Sequence, residues 1–510
     1  MSSREFGDLL QSVTDSFFIT SDMYYYHSVD LATFAVKVAS FALFLRKERF
    51  SMIISGGMVV TGEGAFRADI RIRGEKIDQI AYSLEPEEDE EVLDARGRYV
   101  LPGGIDNHTH FDMPAADGMK TADDFYTGTR AALAGGTTSI IDFAEPQIGE
   151  SLLQGLNNWH RKADHRCFCD YGFHMTVTHW DAEMGEEIDA MLEKGITSFK
   201  AYLTYKDSIG VEDSELYYLM GKIHDAGGLL LVHCENGDLI DSRIRDLKET
   251  APGQIMSHAI ARPNLVEKEA VSRVIDIAAL VGTPVYIVHV SAKESLDVIS
   301  RARSKGQTVF AETCPHYLLF NDFKYELMGL CGAKYVMSPP LRKLKDQKAL
   351  WKGLLGHKLD VISTDHCSFN MKGQKDRGLR DFTKIPHGVP GVENRIELMY
   401  HFGTEQGLTL PDLVKYTAEN PARIFGLYPE KGVLAEGSDA DIVVINPDHV
   451  HTISAATQYQ NCDYTPYEGI RVNWKVEQVF LRGEWVVING YVKDDTPTGK
   501  FLFRKLKETN

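Results

Sequence analysis

The sequence predicts an α/β protein built on a (β/α)8 TIM-like barrel, with β-rich segments at both ends of the chain. Three observations carry this reading. Eight apolar runs of strand length recur with helical stretches between them, several runs end in a residue able to bind a metal, and the β-rich texture before the first run returns after the last.

The elements follow in chain order. Residues 1–51 match the rest poorly: their most apolar stretch, 31–45, carries Lys37 and is closed by Arg46-Lys47-Glu48-Arg49. A membrane span needs about twenty apolar residues, and a secretory signal places its basic residues before the apolar run. The text changes at Met52, and the reading expects translation to begin there, with a purine-rich ribosome-binding stretch encoded around Lys47-Glu48. A partner-docking arm and a disordered tail are the alternatives for this extension. Residues 52–100 hold short β-rich runs with turn signals, and 431–490 repeat that texture, so both are candidates for one β-domain. Between them, residues 101–430 are the expected barrel, and 491–510 a C-terminal tail. The eight runs are 100–105, 138–143, 171–177, 197–203, 229–232, 285–290, 308–311 and 360–363. In such a barrel the chemistry sits at the C-terminal strand ends.

Composition narrows the function. Lys+Arg 55 against Asp+Glu 73 gives a net charge of -18, whereas a binder of nucleic acid or anionic membrane carries a basic face. Seven scattered cysteines make no disulfide framework, which points to a reducing cytoplasm, and Cys167 and Cys169 have no second pair in zinc-site spacing.

The strand ends supply the chemistry. The first run leads into Asp106-Asn107-His108-Thr109-His110, and side-chain alternation on an extended strand points His108 and His110 the same way. The fifth run ends at His233, the sixth carries His289, and the eighth finishes at Asp365. Four imidazoles and a carboxylate without thiolates suit zinc, with manganese, nickel and iron as alternatives. Five ligands are few for two ions, and the fourth run offers Lys200 in Ser198-Phe199-Lys200-Ala201-Tyr202. A buried neutral amine can take up CO2, and the resulting carbamate can bridge two cations. His174, His179, His316 and His366 lie near the same rim and read as packing or supporting histidines.

From about Met52 to Lys500 the chain resembles the D-hydantoinase/dihydropyrimidinase family, cyclic amidases of the amidohydrolase superfamily. The motifs are Pro102-Gly103-Gly104-Ile105-Asp106 before His108 and His110, Gly195-Ile196-Thr197-Ser198-Phe199-Lys200, Ser338-Pro339-Pro340-Leu341-Arg342, Ser363-Thr364-Asp365-His366-Cys367-Ser368-Phe369, and Asn420-Pro421-Ala422-Arg423. The resemblance implies one metal on His108, His110 and Asp365, a second on His233 and His289, and N6-carboxylysine at Lys200 bridging both. It implies Tyr205 facing the carbonyl under attack, Ser338 anchoring the imide edge of the ring, a β-sandwich made from both chain ends, and a homotetramer.

The chain departs from the pattern at Ile385-Pro386-His387-Gly388, where the family usually has Asn in place of His387, and in the loop 114–119, which lacks the bulky apolar residues frequent in hydantoinases. The expected reaction is hydrolytic opening of a hydantoin or 5,6-dihydropyrimidine to an N-carbamoyl amino acid by a metal-bridging hydroxide, with Asp365 as base and then acid. Two alternatives stand beside it. An allantoinase-type activity is suggested by Cys314-Pro315-His316-Tyr317, and a non-catalytic dihydropyrimidinase-related scaffold would lack ligands that are all present here. Dihydroorotase is disfavoured, because no Arg/Asn pair follows His110 to grasp a carboxylate.

Overall fold

The computed structural model describes residues 51–505, so the expected N-terminal extension lies outside the described residues except for Ser51. Strand β1 (Ser51–Val60) pairs antiparallel with β2 (Ala65–Arg73), which pairs with β3 (Lys76–Ala81). Along the other edge of β1 run β4 (Glu91–Asp94), beside Met52–Ser55, and β5 (Tyr99–Pro102), beside Met58 and Val59, both parallel to it. The sheet therefore branches where β1 bulges, between Ile54 and Gly57.

The eight expected barrel strands are all present and parallel: β6 (Gly104–Thr109), β7 (Thr137–Ala144), β8 (Asp170–Thr176), β9 (Ser198–Tyr202), β10 (Leu229–His233), β11 (Val285–Ile287), β12 (Val309–Thr313) and β13 (Val361–Ile362). Closure between the last and first comes just beyond β13, where the backbone N–H of His366 donates to His108 O and that of His110 to His366 O. The expected first run, 100–105, is corrected. Its first part is β5 of the other sheet, and the barrel strand starts only at Gly104. The break falls at Gly103, where a Cβ would lie 2.0 Å from Thr138 Oγ1, so only glycine lets the chain cross from sheet to barrel there.

Helices fill the crossovers, as right-handed βαβ connections require. The first, Phe125–Ala134, starts at an Asp124 cap that accepts the amides of Tyr126 and Thr127. The barrel interior is packed by Ile105, Ile141, Phe143, Leu231, Tyr286 and Val288, with Phe425 closing it from one end.

After the barrel, β14 (Ile442–Asn446) pairs antiparallel with β5, and this pairing joins the two chain ends in one nine-stranded sheet. A short pair, β15 (His451–Thr452) and β16 (Arg471–Val472), stands apart; β17 (Lys475–Leu481), β18 (Glu484–Ile488) and β19 (Tyr491–Val492) complete the sheet. The segment beyond it is tied to the barrel: Tyr171 N donates to Lys500 O, Leu502 N to Tyr171 O, and the buried Arg504 guanidinium to Ser198 Oγ and Phe173 O.

Candidate active site

A cleft of about 410 Å³ opens at the C-terminal ends of the barrel strands, and all nine side chains singled out from the sequence for ligation, catalysis or substrate contact line it. His108 and His110 come from the end of β6, Lys200 from β9, His233 from the end of β10, His289 from just past β11, and Asp365 from just past β13. Tyr205, Ser338 and His387 stand on the loops above them.

His108, His110 and Asp365 form a buried cluster whose ligand atoms all lie within 4.8 Å of one another. Asp365 Oδ1 is 3.2 Å from His108 Nε2 and 3.4 Å from His110 Nε2. On its other side His108 Nδ1 meets the carboxylate of Glu312. A carboxylate only accepts, so it holds the proton on Nδ1 and leaves a lone pair at Nε2 facing the oxygen of Asp365. Two acceptors facing each other in a buried site call for a cation between them, and nitrogen with carboxylate suits a divalent metal. Without one, burial works against charge on His108, but Glu312 and Asp365 overcome it and push the ring up to about 9.

The second group is His233 and His289. Glu235 Oε2 binds His233 Nε2 at 2.9 Å, and the other nitrogen, Nδ1, faces His289 Nε2 at 3.0 Å. Burial holds both rings below the ordinary histidine range, so they are neutral and able to donate a lone pair. The ring centroids of His108 and His289 are 5.4 Å apart, which brings the two groups together.

Lys200 reaches both. Its Nζ sits 4.7 Å from the centre of the Phe143 ring, which packs on His108 and His110, and 5.1 Å from that of Tyr202, which packs on His233. Burial brings its amine down to about 8, against the pull of Glu312 and Asp365, and the amine makes no hydrogen bond or ion pair among the described residues. A buried lysine without a directly paired carboxylate is costly as a cation and ready to react as an amine.

Three residues of the site, Tyr205 (φ 58°), His289 (φ 37°) and Asp365 (φ 50°), are non-glycine residues with left-handed backbone, the kind of strain that collects at functional sites. Burial pushes the Tyr205 phenol up to about 12, so it stays a donor. Ser338 Oγ and His387 Nδ1 are 2.9 Å apart, and the His387 ring, kept neutral by burial and by His258 and Arg262, stacks edge-on against His258. Buried Lys375 fastens the two loops that carry this pair: its Nζ donates to Val336 O (2.9 Å) and Pro386 O (3.0 Å), while Gly388 N also donates to Val336 O.

The rim histidines pack instead. His174 bonds Ser198 Oγ and Asn107 O, and His366 is held between Asp123 and the amides of Gly391 and Val392. His179 is half exposed beside Asp181. His316, whose motif leans towards allantoinase, is buried and does not line the cleft. Sequence reasoning missed Glu312, Glu235 and Lys375. Glu312 and Glu235 had a visible signal, a carboxylate at the end of an apolar run, whereas nothing local marked Lys375.

The amidohydrolase family model matches residues 99–486. The chain is 43% identical to a D-hydantoinase of Streptomyces coelicolor over 439 residues, covering 85% of this chain and 94% of that protein. It is 42% identical to a D-hydantoinase of Geobacillus stearothermophilus, covering 85% and 92%. Among solved structures, the dihydropyrimidinase of Brevibacillus agri is similar with a TM-score of 0.88 and 40% identity, over 90% of this chain and 99% of that one.

Proposed function

Because the chain belongs to the amidohydrolase family, in its hydantoinase branch, we propose that the cleft hydrolyses a cyclic ureide, a hydantoin or 5,6-dihydropyrimidine, to an N-carbamoyl amino acid. The observation that carries this is the meeting, in one cleft, of the His108, His110 and Asp365 cluster, the His233 and His289 pair, and a Lys200 amine that makes no hydrogen bond or ion pair among the described residues. His108, His110 and Asp365 would hold one divalent ion, His233 and His289 a second, most simply Zn2+, with carboxylated Lys200 shared by both. When bound, such ions supply Lewis acidity at the ring carbonyl and activate water at neutral pH.

The chain's own groups do the rest. Asp365 takes the proton of the attacking water and returns it to the ring nitrogen as the C–N bond breaks, acting as base and then acid. Tyr205, kept protonated, donates to the oxygen on which charge develops. Ser338 and His387 grip the imide edge from loops fixed by Lys375. The ring's exocyclic substituent meets the loop containing Pro114, Ala116 and Met119, where this chain departs from the hydantoinase pattern.

A homotetramer in the cytoplasm fits this reading. All seven cysteines are free, among the described residues no helix is long and apolar enough to cross a membrane, and exposed apolar side chains such as Leu280 and Tyr218 are available to cover. The reaction is tested with hydantoin, 5-phenylhydantoin, dihydrouracil and allantoin on metal-quantified protein. Ring opening of at least one of the first three supports it. Turnover of allantoin alone would move the assignment to the allantoinase type.

A further inference from the structure

We propose that Glu312 is a positioning residue shared by both metal positions, so that the two ion sites stand or fall together. The inference rests on the two-metal reading above. Glu312 lies on β12 with no exposure to solvent, and its carboxylate receives four donors. Oε1 takes His108 Nδ1 and the backbone N–H of His289 (3.2 Å); Oε2 takes Asn107 Nδ2 (2.7 Å) and the Tyr286 hydroxyl (2.7 Å). An ionised carboxylate offers about four lone-pair directions, so this one is saturated.

Each contact has a consequence for a ligand. The bond to His108 Nδ1 fixes the tautomer and turns Nε2 towards Asp365. The bond from His289 N holds a residue with left-handed backbone, φ 37°, and thereby helps aim His289 Nε2 at His233 Nδ1. Asn107 and His108 are consecutive yet reach the same carboxylate, because the β6–β7 register shifts between Asp106 and Thr109. One oxygen of Glu312 thus touches a member of each ligand group, while the carboxylate that binds His233 is that of Glu235.

Glu312→Gln removes the charge and keeps the shape. Asn107 Oδ1 has no hydrogen-bond partner among the described residues, so the Asn107 amide can turn over and accept from the new NH2 group, which favours a folded variant. The test is equilibrium competition for Zn2+ between the full chain and a chelator, with metal stoichiometry and metal-free Tm measured in parallel. Supporting the outer partner of a ligand typically matters about 10- to 100-fold in metal affinity. Both equivalents of Glu312→Gln are expected to weaken by that factor while the metal-free Tm stays near wild type. Glu312→Asp, which withdraws the charge by one methylene, is expected to weaken both equivalents as well and serves if the Gln variant fails to fold. Unchanged affinity, or weakening of one equivalent only, overturns the shared role. A wild type that binds fewer than two ions overturns the two-metal reading itself, a result read before any variant is made.

Discussion

Lys200 is the residue on which the proposed chemistry turns. Lys200→Ala is expected to lose metal and activity together, and short carboxylic acids are expected to restore part of both; metal analysis of a fully active variant would refute the bridge. With its amine brought down by burial to about 8, about a tenth of the lysine is neutral at pH 7, against roughly one part in three thousand at the ordinary value. CO2 adds to the neutral amine, so at a fixed concentration of dissolved CO2 the reconstitution of metal-free protein with Zn2+ is expected to speed up several-fold from about pH 7 to about pH 8.5. A rate that falls over that range contradicts the assignment. Tyr205→Phe is expected to keep both metals and lose about 10²- to 10³-fold in kcat. Lys375→Met loosens the Ser338 and His387 loops, and is expected to raise KM while leaving metal content unchanged. The histidines were legible because they fall near the ends of apolar runs, and Lys200 because a lysine stands inside one. Lys375 was not, because its carbonyl partners Val336 and Pro386 stand on separate loops that only the fold brings together.

At the scale of elements, barrel strands and their ends place the candidate ligands, and left-handed residues at His289 and Asp365 aim two of them. Gly388 shows how tight the substrate loop is: its φ is 139°, and a Cβ there would lie 2.3 Å from Cys367 O. Gly388→Ala is expected to displace His387 and raise KM more than it lowers metal affinity, which steady-state kinetics beside metal analysis can separate. The strands were readable from apolar runs of the right length. The junction between sheet and barrel was not, because residues 100–105 read as one continuous run and only the contact of Gly103 with Thr138 divides it. The bulge in β6 was also invisible, since alternation alone would put Asn107 and His108 on opposite faces.

For the molecule as a whole, the β segments before and after the barrel meet through β5 and β14 and form one sheet. The segment at 499–505, which the sequence presents as a tail, adds a buried arginine beneath β8 and β9. Arg504→Ala leaves Ser198 Oγ and Phe173 O without this donor and is expected to cost about 2 kcal/mol or more, read as a lower Tm with an intact metal site. Barrel architecture, and the meeting of the candidate ligands in one cleft, followed from local pattern together with family motifs. The identity of the ring did not, because it depends on how the 114–119 loop and His387 shape one wall of a cleft assembled from distant segments. The central claim is tested most directly by incubating protein of known metal content with hydantoin and dihydrouracil and following the N-carbamoyl amino acid formed. The account predicts product in proportion to bound metal, approaching two ions per chain, with loss on chelation and recovery on adding metal back. Protein that carries two ions and opens neither ring nor a 5-substituted hydantoin would contradict it.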